Sequence, residues 1–267
     1  MGLGIDMKFL IQHNLMHEER LKKVKNAVTY LPHEFIGVVP FSREITSDEP
    51  LVGTDFIPYG STLLTNLALD LKWKGLFFDP KQDYYKAMTK RPDMLNGELC
   101  LDASVVLLYL KAKDPKSEWF IRPSQDLKHF SGQVMKAGEI IAWLKSAMEC
   151  ESSGTYKIDE NLLIVLAKPK VIQAEWRWFI VDGKVVDGSL YRAHGQMRQL
   201  WEGDKKVIRE AQGFADGWLP APCCVMDLAL VDDEMKVIEF NCINSSGFYD
   251  HQVNVIFDKL WKYCEKM

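Results

Sequence analysis

Apolar and polar positions along this chain follow two periods, and the places where one period gives way to the other mark its elements. Lys8–Gln12 predicts a short strand, Glu18–Tyr30 a helix with Leu21, Val24 and Val28 on one face, and Phe35–Val39 a second strand. Phe56–Tyr59 predicts a strand, Gly60, Ser61 and Thr62 a tight turn, Leu63–Leu71 a helix, and Leu76–Phe78 a further strand. Strands alternating with helices over about a hundred residues predict a small α/β domain. Asp102–Ala112 reads as an apolar helix capped by Asp102, and Asp114, Pro115, Lys116 and Ser117 break it. The domain boundary is placed there, between a first domain at 1–115 and a second at 116–267.

The second domain is richer in hairpins. Glu118–Arg122 predicts a strand that Pro123 ends, Gly138 and Glu139 lead into a helix at Ile140–Ala147, and the apolar run Leu162–Ala167 fits a buried strand. Ala174–Val181 and Lys184–Leu190 form a hairpin turning at Asp182 and Gly183, after which Tyr191 and Arg192 run on and His194 and Gly195 enter a loop. Asp204–Ala215 predicts a helix. Cys224–Val231 and Met235–Asn241 form a second hairpin with its turn over Asp232, Asp233 and Glu234. In the closing segment Asp250–Cys264, Val253, Ile256, Phe257, Leu260, Trp261 and Cys264 recur at helical spacing and predict a core face.

With 267 residues, 47% apolar and 26% charged, the chain can bury one large core or two small ones. A net charge of −4, a pI near 5.9 and no block of Lys or Arg give none of the electrostatic footprint of a nucleic-acid binder. No apolar run nears the roughly 20 residues of a membrane span and no secretion signal opens the chain, so the expectation is a cytoplasmic protein without a membrane partner. Six cysteines without metal-ligand spacing read as reduced, mostly buried residues. Met1–Asp6 precede a second methionine, and an added leader and an alternative start both fit; Asp6, where a myristoylation motif needs Ser or Thr, argues against a lipid anchor.

Candidate chemistry gathers in the last hairpin. With a three-residue turn, Val231 faces Met235 and Asp227 lies opposite Glu239, their Cβ atoms roughly 5 Å apart. Asn241, two residues past Glu239, joins the same face. Opposed acids in a ladder of Val225, Leu228, Leu230, Val237, Ile238 and Phe240 repel, so the pair calls for a cation or a shared proton, and an all-oxygen set suits Mg²⁺. A hairpin with both acids in solvent is the alternative, and a turn shifted by one residue would put them on opposite faces. Gly60–Thr62 offers either an anion cradle or a simple cap by Ser61 or Thr62. Arg122 at a strand end, and Lys128 in the loop before Gly132, supply countercharge for phosphate or are surface cations. Arg177 and Arg192 on neighbouring strands suit a clamp on phosphate or carboxylate oxygens, while Trp176, Trp178 and Phe179 read as core. Lys184, Val185, Val186, Asp187, Gly188 is one residue too long for the KxDG nucleophile of nucleic-acid ligases.

Taken in order, Asp227, then Glu239, Phe240 and Asn241, then Ser245, Ser246 and Gly247 resemble the D…ExN metal hairpin of the ATP-grasp superfamily of ATP-dependent carboxylate–amine (or thiol) ligases. Ile121, Arg122, Pro123, Asp126, Lys128, Phe130 and Gly132 resemble the first motif of a clade seen largely in bacteriophages and marked by two arginines and a lysine; Glu175, Trp176 and Arg177 with Ser189, Tyr191 and Arg192 resemble its second. The likeness runs from Glu118 to the C-terminus, with looser similarity at Tyr59–Thr62 and at Leu95 and Asn96. It implies an α/β (α+β) ATP-grasp fold, two antiparallel-rich subdomains preceded by the small α/β domain. It also implies ATP and Mg²⁺: the metal on Asp227, Glu239 and Asn241, and the nucleotide on Arg122, Lys128, Ala167, Lys168 and Arg177. Arg177 and Arg192 would be catalytic, Arg192 orienting the carboxylate or the tetrahedral adduct. The implied activity joins a carboxylate to the amine of an amino acid, a peptide or a protein terminus through an acyl phosphate, in the host cytoplasm if the chain is phage-encoded.

Two departures stand out. Arg122 replaces the lysine of most of the superfamily, and Val225 replaces an arginine that many members carry two residues before the hairpin aspartate; either Arg192 or Arg177 takes that role or the substrate differs. The alternatives are a nucleotide-binding module without turnover and a nucleotidyltransferase that leaves AMP on a lysine.

Overall fold

Three sheets organise the chain. The computed structural model describes residues 7–267 except 41, 80, 84–90, 92, 126–129 and 151–157, so Met1–Asp6, Asp126 and Lys128 lie outside the described residues. The first sheet is built from β1 (Lys8–Gln12), β2 (His33–Val38), β3 (Ile45–Thr46) and β4 (Phe56–Tyr59), with α1 (Glu18–Val28) and α2 (Thr62–Asp70) as connections. Its order is β3-β2-β1-β4, and β1 pairs in parallel with both β2 and β4. Leu76–Phe78, expected to be a strand, is not one: Gly75 and Leu76 donate to the Phe56 and Trp73 carbonyls, so the apolar run folds as a turn that buries Phe78. Ser61 settles the reading of the turn before α2, because its side chain accepts from Leu64 N as a helix cap. Within the turn itself, Gly60 N and Ser61 N go to Asn244 O and Gln12 Oε1.

The second sheet, β5-β8-β6-β7, is antiparallel throughout and consists of β5 (Leu99–Asp102), β6 (Glu118–Pro123), β7 (Gln133–Lys136) and β8 (Leu163–Ala167). Helices α3 (Ala103–Lys111) and α4 (Ala137–Glu149) lay Val106, Leu110, Ile140 and Leu144 against Ile121, Ile164 and Leu166. Asp102 holds the N-cap position of α3, but its side chain makes no cap hydrogen bond, because the residue is also the last of β5.

The third sheet runs β11-β10-β9-β12-β13, from β9 (Ala174–Val181), β10 (Lys184–Ala193), β11 (Gln196–Trp201), β12 (Cys224–Val231) and β13 (Glu234–Asn241), and α5 (Lys205–Gly217) and α6 (Val253–Cys264) complete the chain. Asp182 and Gly183 turn the first hairpin as expected, both at positive φ (54° and 69°). His194 and Gly195, expected to enter a loop, form a tight turn into β11 instead. The apolar stripe of α6 is a core face: Val253, Ile256, Phe257 and Leu260 pack with Phe9, Ile11, Val24, Phe179 and Val225.

By its contacts the chain divides into two compact units, one of Met1–Pro80, Ala174–Leu228 and Glu239–Met267, the other of Lys81–Gln173 and Ala229–Ile238. Among the described residues no helix is long and apolar enough to cross a membrane.

Candidate active site

The acidic hairpin turns one residue earlier than its sequence suggests. Glu234 already belongs to β13, and the turn is Asp232–Asp233 alone, at φ 51° and 63°. An unbroken ladder from that turn would send Asp227 and Glu239 to opposite faces. They are on one face, because a single amide reaches both: Asn241 Nδ2 donates to Asp227 Oδ2 at 3.2 Å and to Glu239 Oε1 at 3.1 Å. The two acids and Asn241 thus share a face although the turn is one residue shorter than the sequence suggests.

Strand β9 neighbours β12 and brings in the cation. Arg177 forks onto Asp227, Nε to Oδ1 at 2.8 Å and Nη2 to Oδ2 at 2.7 Å, and its Nη1 reaches the Gly247 carbonyl at 3.4 Å. Tyr249 and Tyr191 stack on each other, centroids 4.8 Å apart, with the Arg177 guanidinium 5.3 Å and 5.9 Å from their rings. Tyr191 Oη donates to Glu175 Oε2 at 2.6 Å, and Arg192 Nη1 donates to Glu175 Oε1 at 3.0 Å. A continuous polar chain thus runs from Glu239 through Asn241, Asp227 and Arg177 to the tyrosine pair, Glu175 and Arg192.

Burial governs the electrostatics. It lifts the Asp227 carboxyl to about 6, above the usual carboxylate range, against the pull of Arg177 and with help from Glu239. Burial also disfavours the Arg177 charge, but the Asp227 carboxylate more than offsets it and holds the guanidinium above its ordinary value. The two-point fork keeps the pair ionised at neutral pH. Burial, then Asp227 and Glu175, push the Tyr191 phenol far up, so it serves as a neutral donor.

Of the expected nucleotide residues, Arg122 stands on β6 and Ala167 on the neighbouring β8, with Lys168 just beyond the end of β8. Arg122, paired across from Val165, is buried and donates from Nε to the Pro123 carbonyl at 3.0 Å. Ala167 ends β8 fully buried, and Lys168 Nζ sits 3.6 Å from the Trp119 ring centroid. Gly132 keeps the loop close to the Phe120 ring, 3.1 Å from where a Cβ would stand. Ser124 and Gln125 both bind the Asp83 carboxylate, a tie no sequence pattern signalled.

Two readings of the sequence find their place in the sheet. Asp187 accepts from Trp201 Nε1 and Gln252 N, each at 2.8 Å, and Gly188 is required because a Cβ there would stand 2.1 Å from the Trp178 ring, so the near miss to KxDG is structural. Val225 is fully buried in the core; the guanidinium on Asp227 is that of Arg177, while Arg192 goes to Glu175.

The chain matches the family model of the ATP-grasp domain, R₂K clade family 3, over residues 82–262, and it belongs to that family. Its mixed α/β architecture, with three sheets and six helices among the described residues, matches the ATP-grasp fold. Members of this superfamily are ATP-dependent ligases that form C–N bonds and use ATP and Mg²⁺. Among solved structures, the D-alanine–D-alanine ligase from Coxiella burnetii is similar with a TM-score of 0.60 at 12% identity, over 97% of this chain and 95% of that one. The D-cycloserine synthetase DcsG gives a TM-score of 0.59 at 11% identity, over 97% and 99%. The ATP-grasp ligase PsnB, complexed with a minimal precursor, Mg and ADP, gives 0.51 at 9% identity, over 97% and 99%. At these identities the likeness is one of fold. A comparison with curated proteins finds no match.

Proposed function

We propose that this chain is an ATP-dependent ligase that joins a carboxylate to an amine through an acyl phosphate, releasing ADP and phosphate. The observation that carries the reading is the cluster of Arg177, Asp227, Asn241 and Glu239 on one sheet face, in a chain of the ATP-grasp family. The residues suit Mg²⁺: two carboxylates lie within the span of one amide, and every donor is oxygen once the Asn241 amide turns its carbonyl toward them. Among the described residues no group of three or more His, Cys, Asp or Glu forms, so the set is two acids and an amide. Bound there, Mg²⁺ would neutralise charge developing on phosphate oxygens.

The reaction needs no covalent enzyme nucleophile. A substrate carboxylate oxygen attacks the γ-phosphorus and ADP leaves; the amine nitrogen then attacks the acyl carbon, loses a proton, and the adduct expels phosphate. A guanidinium has five N–H donors. Asp227 and Gly247 take three from Arg177, which leaves two for phosphate oxygens. Arg192, fixed by one contact to Glu175 and 46% exposed in its side chain, orients the substrate carboxylate or the adduct. We assign Arg122 and Lys128 to the triphosphate and Ala167 and Lys168 to the base. The substrates we expect are amino acids, peptides or a protein terminus, given a net charge of −4 and no basic stripe.

Incubation with ATP, Mg²⁺ and a pool of amino acids and dipeptides, with nucleotide products separated by chromatography, tests the reading. ADP and phosphate in step with a new amide support it. AMP and pyrophosphate would mark a nucleotidyltransferase, and no turnover a binding module.

A further inference from the structure

The loop that leaves the acidic hairpin is gripped from behind by a residue far away in sequence. Arg20, in the first turn of α1, donates from Nε and Nη2 to Tyr59 Oη at 2.9 Å and 2.7 Å, and from Nη2 to the carbonyls of Ser245 at 3.2 Å and Ser246 at 2.8 Å. Tyr59 Oη, itself buried, donates to the same Ser246 carbonyl at 2.8 Å. Asn244 continues the attachment: its amide donates to Pro58 O at 2.8 Å and Gly75 O at 2.7 Å, and its own carbonyl accepts from Gly60 N at 2.9 Å. The Tyr59 ring stacks on Phe248, centroids 5.3 Å apart.

This arrangement fixes more than the path of the loop. In a trans peptide the N–H points opposite to the C=O, so carbonyls of Ser245 and Ser246 turned toward Arg20 send the N–H groups of Ser246 and Gly247 the other way. Those two N–H groups have no acceptor among the described residues, while the next carbonyl, that of Gly247, accepts from Arg177 of the acidic cluster. No carboxylate among the described residues forms a salt bridge with Arg20; its charge is spent on a phenol and two peptide oxygens. A cation bonded to a peptide carbonyl polarises that peptide and strengthens its N–H as a donor.

We propose that Arg20 is a positioning residue: by holding the Ser245 and Ser246 carbonyls it aims and polarises the Ser246 and Gly247 N–H groups as a donor pair for an anionic group of the substrate. The substrate role rests on the ligase reading above. The donor pair itself does not.

The experiment therefore has two arms on the full chain, comparing wild type with Arg20→Met and Arg20→Lys. In the first, sodium acetate is titrated and the ¹H–¹⁵N spectrum recorded, with sodium chloride as control. The Ser246 and Gly247 amide protons should move downfield saturably in wild type, less in Arg20→Lys, which keeps the charge but cannot span phenol and carbonyls, and not in Arg20→Met. Unchanged dispersion elsewhere shows that the variants fold. Amides that stay still in wild type, or move equally in all three, overturn the proposal. In the second arm, ADP release with the amino acid and dipeptide pool should fall about 10- to 100-fold in Arg20→Met, the scale of a lost charge-assisted hydrogen bond, at unchanged ATP affinity. An equal loss of ATP affinity would overturn the positioning role. Should the wild type release no ADP with any pool, the ligase reading falls while the acetate titration still decides on Arg20.

Discussion

Replacing Asp227 by Asn tests the acidic cluster through stability as well as activity. The substitution keeps the shape of the side chain and one acceptor oxygen, but removes the charge that Arg177 answers. Both partners are desolvated, with 12% of the Arg177 side chain and 2% of the Asp227 side chain exposed, so the guanidinium is left buried against a neutral amide. Breaking a buried pair by removing one partner costs about 3–5 kcal/mol, and the retained acceptor puts Asp227→Asn near the lower end, at about 3 kcal/mol. For a chain of this size that is a fall in melting temperature of about 6–12 °C. The assay is thermal unfolding of wild type, Asp227→Asn, Arg177→Met and the double variant. Because the partners share one interaction, the double variant should be more stable than the summed single losses by about 1–3 kcal/mol. Turnover should be lost in every variant lacking Asp227. A melting temperature unchanged in Asp227→Asn, or strictly additive losses, would refute the paired, buried site; full activity in Asp227→Asn would remove the residue from the chemistry.

Three further outcomes are expected. Arg122→Ala should weaken ATP binding by about 1.5–3 kcal/mol in a calorimetric titration, the worth of a charge-assisted contact, and unchanged affinity would make Arg122 a structural cation only. Arg192→Ala should slow amide formation far more than it weakens ATP binding if Arg192 holds the reacting carboxylate as proposed; equal losses would move Arg192 to the nucleotide. His251 carries a pH dependence. Its Nε2–H donates to the Arg177 carbonyl at 3.1 Å, its Nδ1 is buried without a partner, and burial lowers its pKa from 6.5 to about 4. With the folded value depressed, the unfolded chain binds the proton first as pH falls. The stability that neutral His251 contributes is therefore full above pH 6.5 and is lost between 6.5 and about 4, to the extent of about 3 kcal/mol. Urea midpoints across that window should fall less steeply in His251→Asn, and identical slopes would show that His251 titrates freely.

Periodicity carried the helices and the two hairpins because their patterns are local. α6 announces itself by its stripe, and the Asp182–Gly183 turn by residues that tolerate positive φ. β7 and β11 escaped because a strand made as Gln133–Lys136 or Gln196–Trp201, with every residue of β11 exposed, has no buried face to alternate. β5 escaped because Leu99–Asp102 becomes a strand only by pairing with Leu163–Leu166. Within the site, Asp227, Glu239 and Asn241 were legible as one face of one hairpin. The fork from Arg177 was not, because β9 meets β12 only through the strand order, at a separation of 50 residues. The same holds for Arg20, which reaches Ser246 across 226 positions. The last turn is one residue shorter than the sequence suggests, yet Asp227, Glu239 and Asn241 share one face.

The central claim, carboxylate activation as an acyl phosphate, is tested most directly by following oxygen. Once the pool has yielded a carboxylate substrate, that acid is supplied with ¹⁸O in its carboxyl group, and the inorganic phosphate released during amide formation is examined by mass spectrometry. The carboxylate oxygen that attacks the γ-phosphorus leaves with phosphate when nitrogen replaces it, so each phosphate should carry one ¹⁸O atom from the acid. Unlabelled phosphate accompanying amide formation, or label recovered in AMP, would contradict the account.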